Sequence, residues 1–405
     1  MSKTPQARGF QVFPSGDRYF LATRALSLLL ALCFALIYSI QLGVERRGLL
    51  TFIMSTNLVF SILLISGLSL HIRNISRIDF EVEKLGNYLS LLFVLSLITP
   101  FLNLIALRIW ESIYQTVIPN NLVLVSVLYC FFSTLSSGFH DTLLLIKSIK
   151  IAAFLDISTV ALQILGYAVL VYTGETSYFV AVLIAHSVSY LVVAFSILIL
   201  LVYTFNPPLK FSLATSVGLI KEGRATYIIS ITSGLIERID KVLLGLQTSA
   251  GELGRYSTNQ SVLALSKFLP DTISKLSLAR DRNYLNTESY SKRLISLLLC
   301  GLITALWLTY QMVEGVLGAE WTLPILMFLA LALIELLRGL YTVMTTNALG
   351  NNQKQKLKKV SYCQLFIAII IQPMVIMSFG VAGALICNFI IISLGLFILR
   401  KYING

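Results

Sequence analysis

Glu237, Arg238, Asp240 and Lys241 stand in the middle of an otherwise apolar run, Ala225 to Gln247. A charge at the centre of a bilayer costs from about 2.5 to above 10 kcal/mol, so such residues turn toward water, protein or one another. At helical spacing Ser230, Ser233 or Gly234, Glu237 and Lys241 fall on one stripe, and Glu237 precedes Lys241 in the favoured i, i+4 order. In the next run Lys267, Asp271 and Lys275 recur every fourth residue, with Ser274, Asn259 and Gln260 extending the polar face. Pro270 lies within that stripe, where it removes a backbone hydrogen bond and bends a helix. The pattern predicts an ion-lined cavity that admits a polar cargo. Two alternatives remain: carboxylates and amines that merely lock helices together, and an interfacial or cytoplasmic stretch over 206–293 that leaves ten spans.

The elements that position these residues follow from composition. Of 405 residues 57% are hydrophobic and 12% charged, with a mean hydropathy of +0.83. A soluble domain carries about 25% charge, so a water-soluble enzyme or nucleic-acid binder is excluded. A span needs about 20 apolar residues, and the breaks predict an all-α polytopic membrane protein of about twelve helices. The first six are Ala25 to Gly43, Gly48 to Leu70, Asn87 to Leu107, Asn121 to His140, Ile151 to Thr173 and Tyr178 to Thr204. The seventh and eighth, Ala225 to Gln247 and Gly254 to Leu278, are weaker. Leu294 to Val316, Leu323 to Asn347, Val360 to Phe379 and Val381 to Leu399 complete the set. Lys and Arg crowd into alternate connections, among them the N-terminal tail, Arg280 to Arg293, Lys354 to Lys359 and Arg400 with Lys401. By the positive-inside rule both termini face the cytoplasm, and Glu45, Arg46 and Arg47 fall in an outer connection. Met1 to Arg24 shows no removable signal peptide.

Asn206-Pro207-Pro208 divides the chain into an N-terminal six-helix bundle, 1–206, and a C-terminal one, 207–405. A shift of 206 superposes Gly48 on Gly254, Gly174 on Gly380 and Arg18 on Arg224, as parallel internal repeats would. Neither an external domain nor a hydrolase, metalloprotease or P-loop motif is present, so the expectation is a non-enzyme without metal or cofactor. His71, His140 and His186 are scattered and read as loop or packed residues. Cys33, Cys130, Cys300, Cys363 and Cys387 lie in apolar runs and read as small packing residues. Glu335 and Arg338, three apart, suit self-pairing as well as a pathway role. The first six expected spans contain no Lys or Arg, but Arg24 and Arg73 sit at their ends and either snorkel or reach inward. Ser39, Gln41, Thr51, Ser55, Thr56, Asn57 and Ser61 either line an opposite wall or join helices.

Three stretches carry a family likeness: Gln41 to Phe52, Glu237 to Ser257 and Phe379 to Ile386. With Arg238, Asp240, Glu252 and Gly254 in the second, the chain resembles bacterial O-antigen and polysaccharide flippases, in the superfamily of multidrug and toxin extrusion proteins and lipid II flippases. The resemblance implies two six-helix bundles around a central cavity that opens alternately to either side of the bacterial inner membrane. It implies a polyprenyl-pyrophosphate-linked oligosaccharide as cargo, an O-antigen, capsule or exopolysaccharide unit, with glycan polymerase machinery as a possible partner. Arg238, Lys241, Lys267, Lys275, Arg24 and Arg73 would then hold the anion. Glu237, Asp240 and Asp271 would balance charge or couple transport to a proton or sodium ion. A multidrug or small-molecule exporter of the same superfamily is the alternative.

Overall fold

A computed structural model describes residues 15–69, 71, 82–115, 117–143, 149–174, 177–268, 270–272, 274, 310–311, 313–350 and 353–404. Every element among them is helical. Helix α1 (Ser15–Ser61) has 47 residues, about 70 Å at the rise of an α-helix and twice what a bilayer core requires. Gly43 breaks it in a left-handed conformation, φ 73°, which glycine alone adopts without strain. The break falls at the expected boundary of the first two spans, and the π turn Ile62–Ser66 extends the second. At the C-terminus α10 (Lys354–Phe366) continues through the π turn Ile367–Ile371 into α11 (Gln372–Asn404), which left-handed Gly380 breaks in the same way. Between them run α2 (Val82–Tyr114), α3 (Asn120–Leu143), α4 (Ile149–Thr173) and α5 (Tyr178–Phe205). They are followed by α6 (Leu213–Glu222), α7 (Arg224–Gln247), α8 (Ala250–Leu263) and α9 (Ile325–Gly350). Most of the expected ninth span, with Arg73, Lys275 and Cys300, lies outside the described residues.

Seven stretches of helix among the described residues are long and apolar enough to cross a membrane, and the chain is a polytopic membrane protein. Phe101, Leu165, Ile199, Leu326 and Phe397 turn outward, as residues facing lipid do. Charged α7 and short α8 are not among the seven. Along α7, Tyr227 meets Gly67, Gly234 meets Ile62 and Gly245 meets Phe52, so it runs antiparallel to the second part of α1 over most of its length. That pairing seats α7 within the bundle beside the second part of α1.

One end of the bundle collects the turns. Gly43, residues 117–119, Ser249, Gly251 and Glu320 border a single cleft there, and Gly380 abuts Thr248. Just beneath it, positions related by the 206-residue shift touch. Thr51 Oγ1 and Ser257 Oγ are 2.8 Å apart. A Cβ on Gly48 would strike the Ala250 carbonyl, and one on Gly254 the Val44 carbonyl. Gly174 and Gly380, the other shifted glycine pair, both take positive φ.

Candidate functional site

Below this seam lies a cavity of about 370 Å³, walled by α1, α7, α8 and α9. Four cations and three carboxylates line it: Arg47, Arg238, Lys241 and Lys267 with Glu237, Asp271 and Glu335. Beside it, sharing Leu28, Ala31, Ala264, Lys267 and Asp271, a recess of about 250 Å³ extends to Arg24 and Asp156.

The carboxylates are not distributed evenly. Lys267 Nζ pairs with Glu237 Oε1 and lies 3.7 Å from Glu335 Oε2. Glu335, fully buried, also pairs with Arg338 and accepts a hydrogen bond from Gln260 Nε2 at 2.9 Å. This network joins α7, α8 and α9, and it draws Glu237 away from Lys241, so the expected i, i+4 pair does not form. A 3₁₀ turn, Ala264–Lys267, precedes Pro270 and carries Lys267 into the network. Asp240 does not face the cavity. Fully buried, it accepts from Tyr256 Oη at 2.5 Å, Asn388 Nδ2 at 2.8 Å and the Lys241 N–H at 2.8 Å, which fixes α7 against α8 and α11.

Three cations are left: Arg47, Arg238 and Lys241. Among the described residues none has a carboxylate within 4.0 Å. Arg47, expected in an outer connection, lies within α1 and is 5% exposed. Its guanidinium donates to Tyr38 Oη at 2.9 Å and stacks 4.9 Å from that ring, while Nε has no partner. Such stacking aims a planar cation without neutralising it. The left-handed Gly43 sets the helical phase behind it, so Arg46 is exposed and Arg47 turns inward.

Arg24 reaches inward rather than snorkelling, and pairs with Asp156 at 3.2 Å. His140 Nε2 lies 2.9 Å from the same carboxylate. Asp156 is the single charged residue in the first six expected spans, a signal that would have found it. His186 is packed against Phe34 and bonds the Val182 carbonyl. Three of the polar residues of the first two spans join helices: Thr56 donates to Asn103, Asn57 to Ser133, and Gln41 accepts from Tyr167. Ser274 is buried. Lys275 and Arg73, both expected to hold the anion, lie outside the described residues.

No protein-family model matches the chain, and no curated protein matches it by sequence. Solved structures do match. A lipid II flippase MurJ in an inward closed conformation superposes with a TM-score of 0.70 at 12% identity, over 95% of this chain and 87% of that one. An inward-facing multidrug resistance transporter of the MATE family and MOP superfamily gives 0.64 at 14% identity, over 96% and 98%. A MOP superfamily transporter from Pyrococcus furiosus, described as having a binding pocket of reverse polarity, gives 0.54 at 14% identity over 100% and 99%. At these identities the likeness is one of fold.

Proposed function

We propose that the protein is a flippase that moves a polyprenyl-pyrophosphate-linked oligosaccharide from the cytoplasmic to the outer face of a bacterial inner membrane. The observation that carries this reading is the trio Arg47, Arg238 and Lys241, aimed into one cavity with no carboxylate within 4.0 Å among the described residues. Unpaired cations in a low-dielectric cavity are costly, and an anionic group such as a pyrophosphate relieves that cost. Arginine offers a planar fork for phosphate oxygens and lysine a point charge. The fold shared with a lipid II flippase and with MATE transporters supports a carrier.

In this reading residues 1–206 and 207–405 are two six-helix bundles that rock about the cavity, with both termini cytoplasmic. The contacts of Thr51 with Ser257 and of Gly48 with Ala250 hold the outer side shut. Lys267, held by Glu237 and Glu335, tunes the wall rather than gripping cargo, and Arg24 serves the recess beside Asp156. Glu237 and Asp271 face the cavity and are the carboxylates that a coupling proton or sodium ion would meet. They also favour a second reading, an exporter of cationic small molecules.

The test is complementation of a deletion strain. Arg47→Gln, Arg238→Gln and Lys241→Gln should each lower surface glycan about tenfold or more, since a charge-assisted hydrogen bond contributes about 1.5–3 kcal/mol, with protein still in the membrane. Wild-type glycan in all three, with drug susceptibility altered instead, would favour the exporter.

A further inference from the structure

The connection between α5 and α7 contains helix α6. Ser212 caps it, accepting from the Thr215 N–H at 3.3 Å. Asn87, near the start of α2, fixes it from the side: Oδ1 accepts from the Ser212 N–H at 2.6 Å, and Nδ2 donates to Ser216 Oγ at 3.1 Å. Upstream, a Cβ on Gly86 would strike the Pro208 carbonyl; downstream, one on Gly223 would lie 2.8 Å from the ring of His71. Residues 71 and 86 flank the connection between the second part of α1 and α2. The helix therefore begins and ends at the same level of the bundle and lies across its end instead of through it.

Its two faces differ. Ser216 and Leu219 are buried against the protein, whereas Leu213, Val217 and Ile220 recur at i, i+4 and i+7 and are 70%, 40% and 46% exposed. Leu209 and Phe211 continue the apolar strip upstream, at 54% and 50% exposed. Lys210, Lys221 and Arg224 border it, all exposed and without an ion pair among the described residues. The neighbouring acid, Glu222, is turned toward His71, 3.7 Å away. An apolar strip edged by lysine and arginine is the pattern of a helix lying in a membrane interface.

We propose that α6 is an in-plane membrane anchor whose Lys210, Lys221 and Arg224 bind the headgroups of anionic phospholipids. The apolar strip sets its depth, and the three cations select the lipid. Because Asn87 clamps it to α2, the anchor fixes the first part of the bundle to the leaflet.

The test uses the full chain with Val217→Trp in vesicles of phosphatidylcholine and phosphatidylglycerol, one lipid at a time carrying brominated acyl chains, with the wild-type fluorescence subtracted. Brominated lipid should quench the new tryptophan. Brominated phosphatidylglycerol should do so at least fivefold more per mole than brominated phosphatidylcholine, given the attraction of each basic residue to an anionic surface. Adding Lys210→Gln, Lys221→Gln and Arg224→Gln should bring the ratio near one while quenching persists. Equal quenching by both lipids before the charges are removed, or no quenching, would overturn the proposal. The readout needs no cargo, so it stands apart from the flippase reading.

Discussion

The interior of α1 to α3 and that of α7 to α9 are both polar, but they are polar in different ways. In the first, neutral groups satisfy one another: Thr56 with Asn103 at 2.6 Å, Asn57 with Ser133 at 2.6 Å, and Thr99 with Thr134 at 3.2 Å. In the second, ions do: Glu237, Lys267, Glu335 and Arg338 form a chain, with Arg238 and Lys241 left over on the cavity side, where Arg47 of α1 joins them. A neutral hydrogen bond between helices in a membrane contributes about 0.6 kcal/mol on average, so losing one changes little. Removing one partner of a buried ion pair is strongly destabilising, because it leaves the other charge uncompensated. The first region is thus built to be a wall, and the second to respond to charge that enters beside it.

That contrast can be broken by mutation. Glu335→Ala should have the largest effect, because it strands Arg338 in the interior; a loss of about 3–5 kcal/mol is expected, read as a lower thermal unfolding midpoint in detergent. Replacing Glu335 and Arg338 together by methionine should recover much of it. Gly254→Val comes next: its side chain would meet the Val44 carbonyl, and overpacking costs about 1–3 kcal/mol. At the same seam, Thr51→Cys with Ser257→Cys should form a disulfide on oxidation and, under the proposed flippase function, stop glycan export until reduced. The smallest effect belongs to Asn103→Ala, which removes one neutral hydrogen bond and should cost about 1 kcal/mol. If Asn103→Ala proved as damaging as Glu335→Ala, the two interiors would not differ in the way described.

The sequence located most helices because a bilayer imposes length and apolarity on each span, so Tyr178 to Thr204 needed only one more residue, Phe205, at its end. The shift that pairs Gly48 with Gly254 also relates Thr51 to Ser257, whose hydroxyls meet across the seam. The site was legible in part. Arg238, Lys241, Glu237 and Asp271 do face a cavity, because a charge inside an apolar run has few other places to go. Asp240 does not, because helical phase alone could not foresee the hydrogen bonds of Tyr256 and Asn388. Arg47 was missed for a related reason: in Glu45-Arg46-Arg47 all three read as solvated, and only the backbone turn at Gly43 decides which of them enters the protein. Helix α6 was hidden by the two prolines before it, which signal a break without saying how soon a helix resumes.

The one-residue reversals at Gly43 and Gly380 bear on how the sidedness of the chain can be mapped. An epitope inserted at either point would have to pry apart two helices that share a single peptide hinge. Small reagents aimed at single cysteines placed at Glu45 or Arg46, both exposed beside the hinge, would report which side of the membrane these turns occupy without disturbing them.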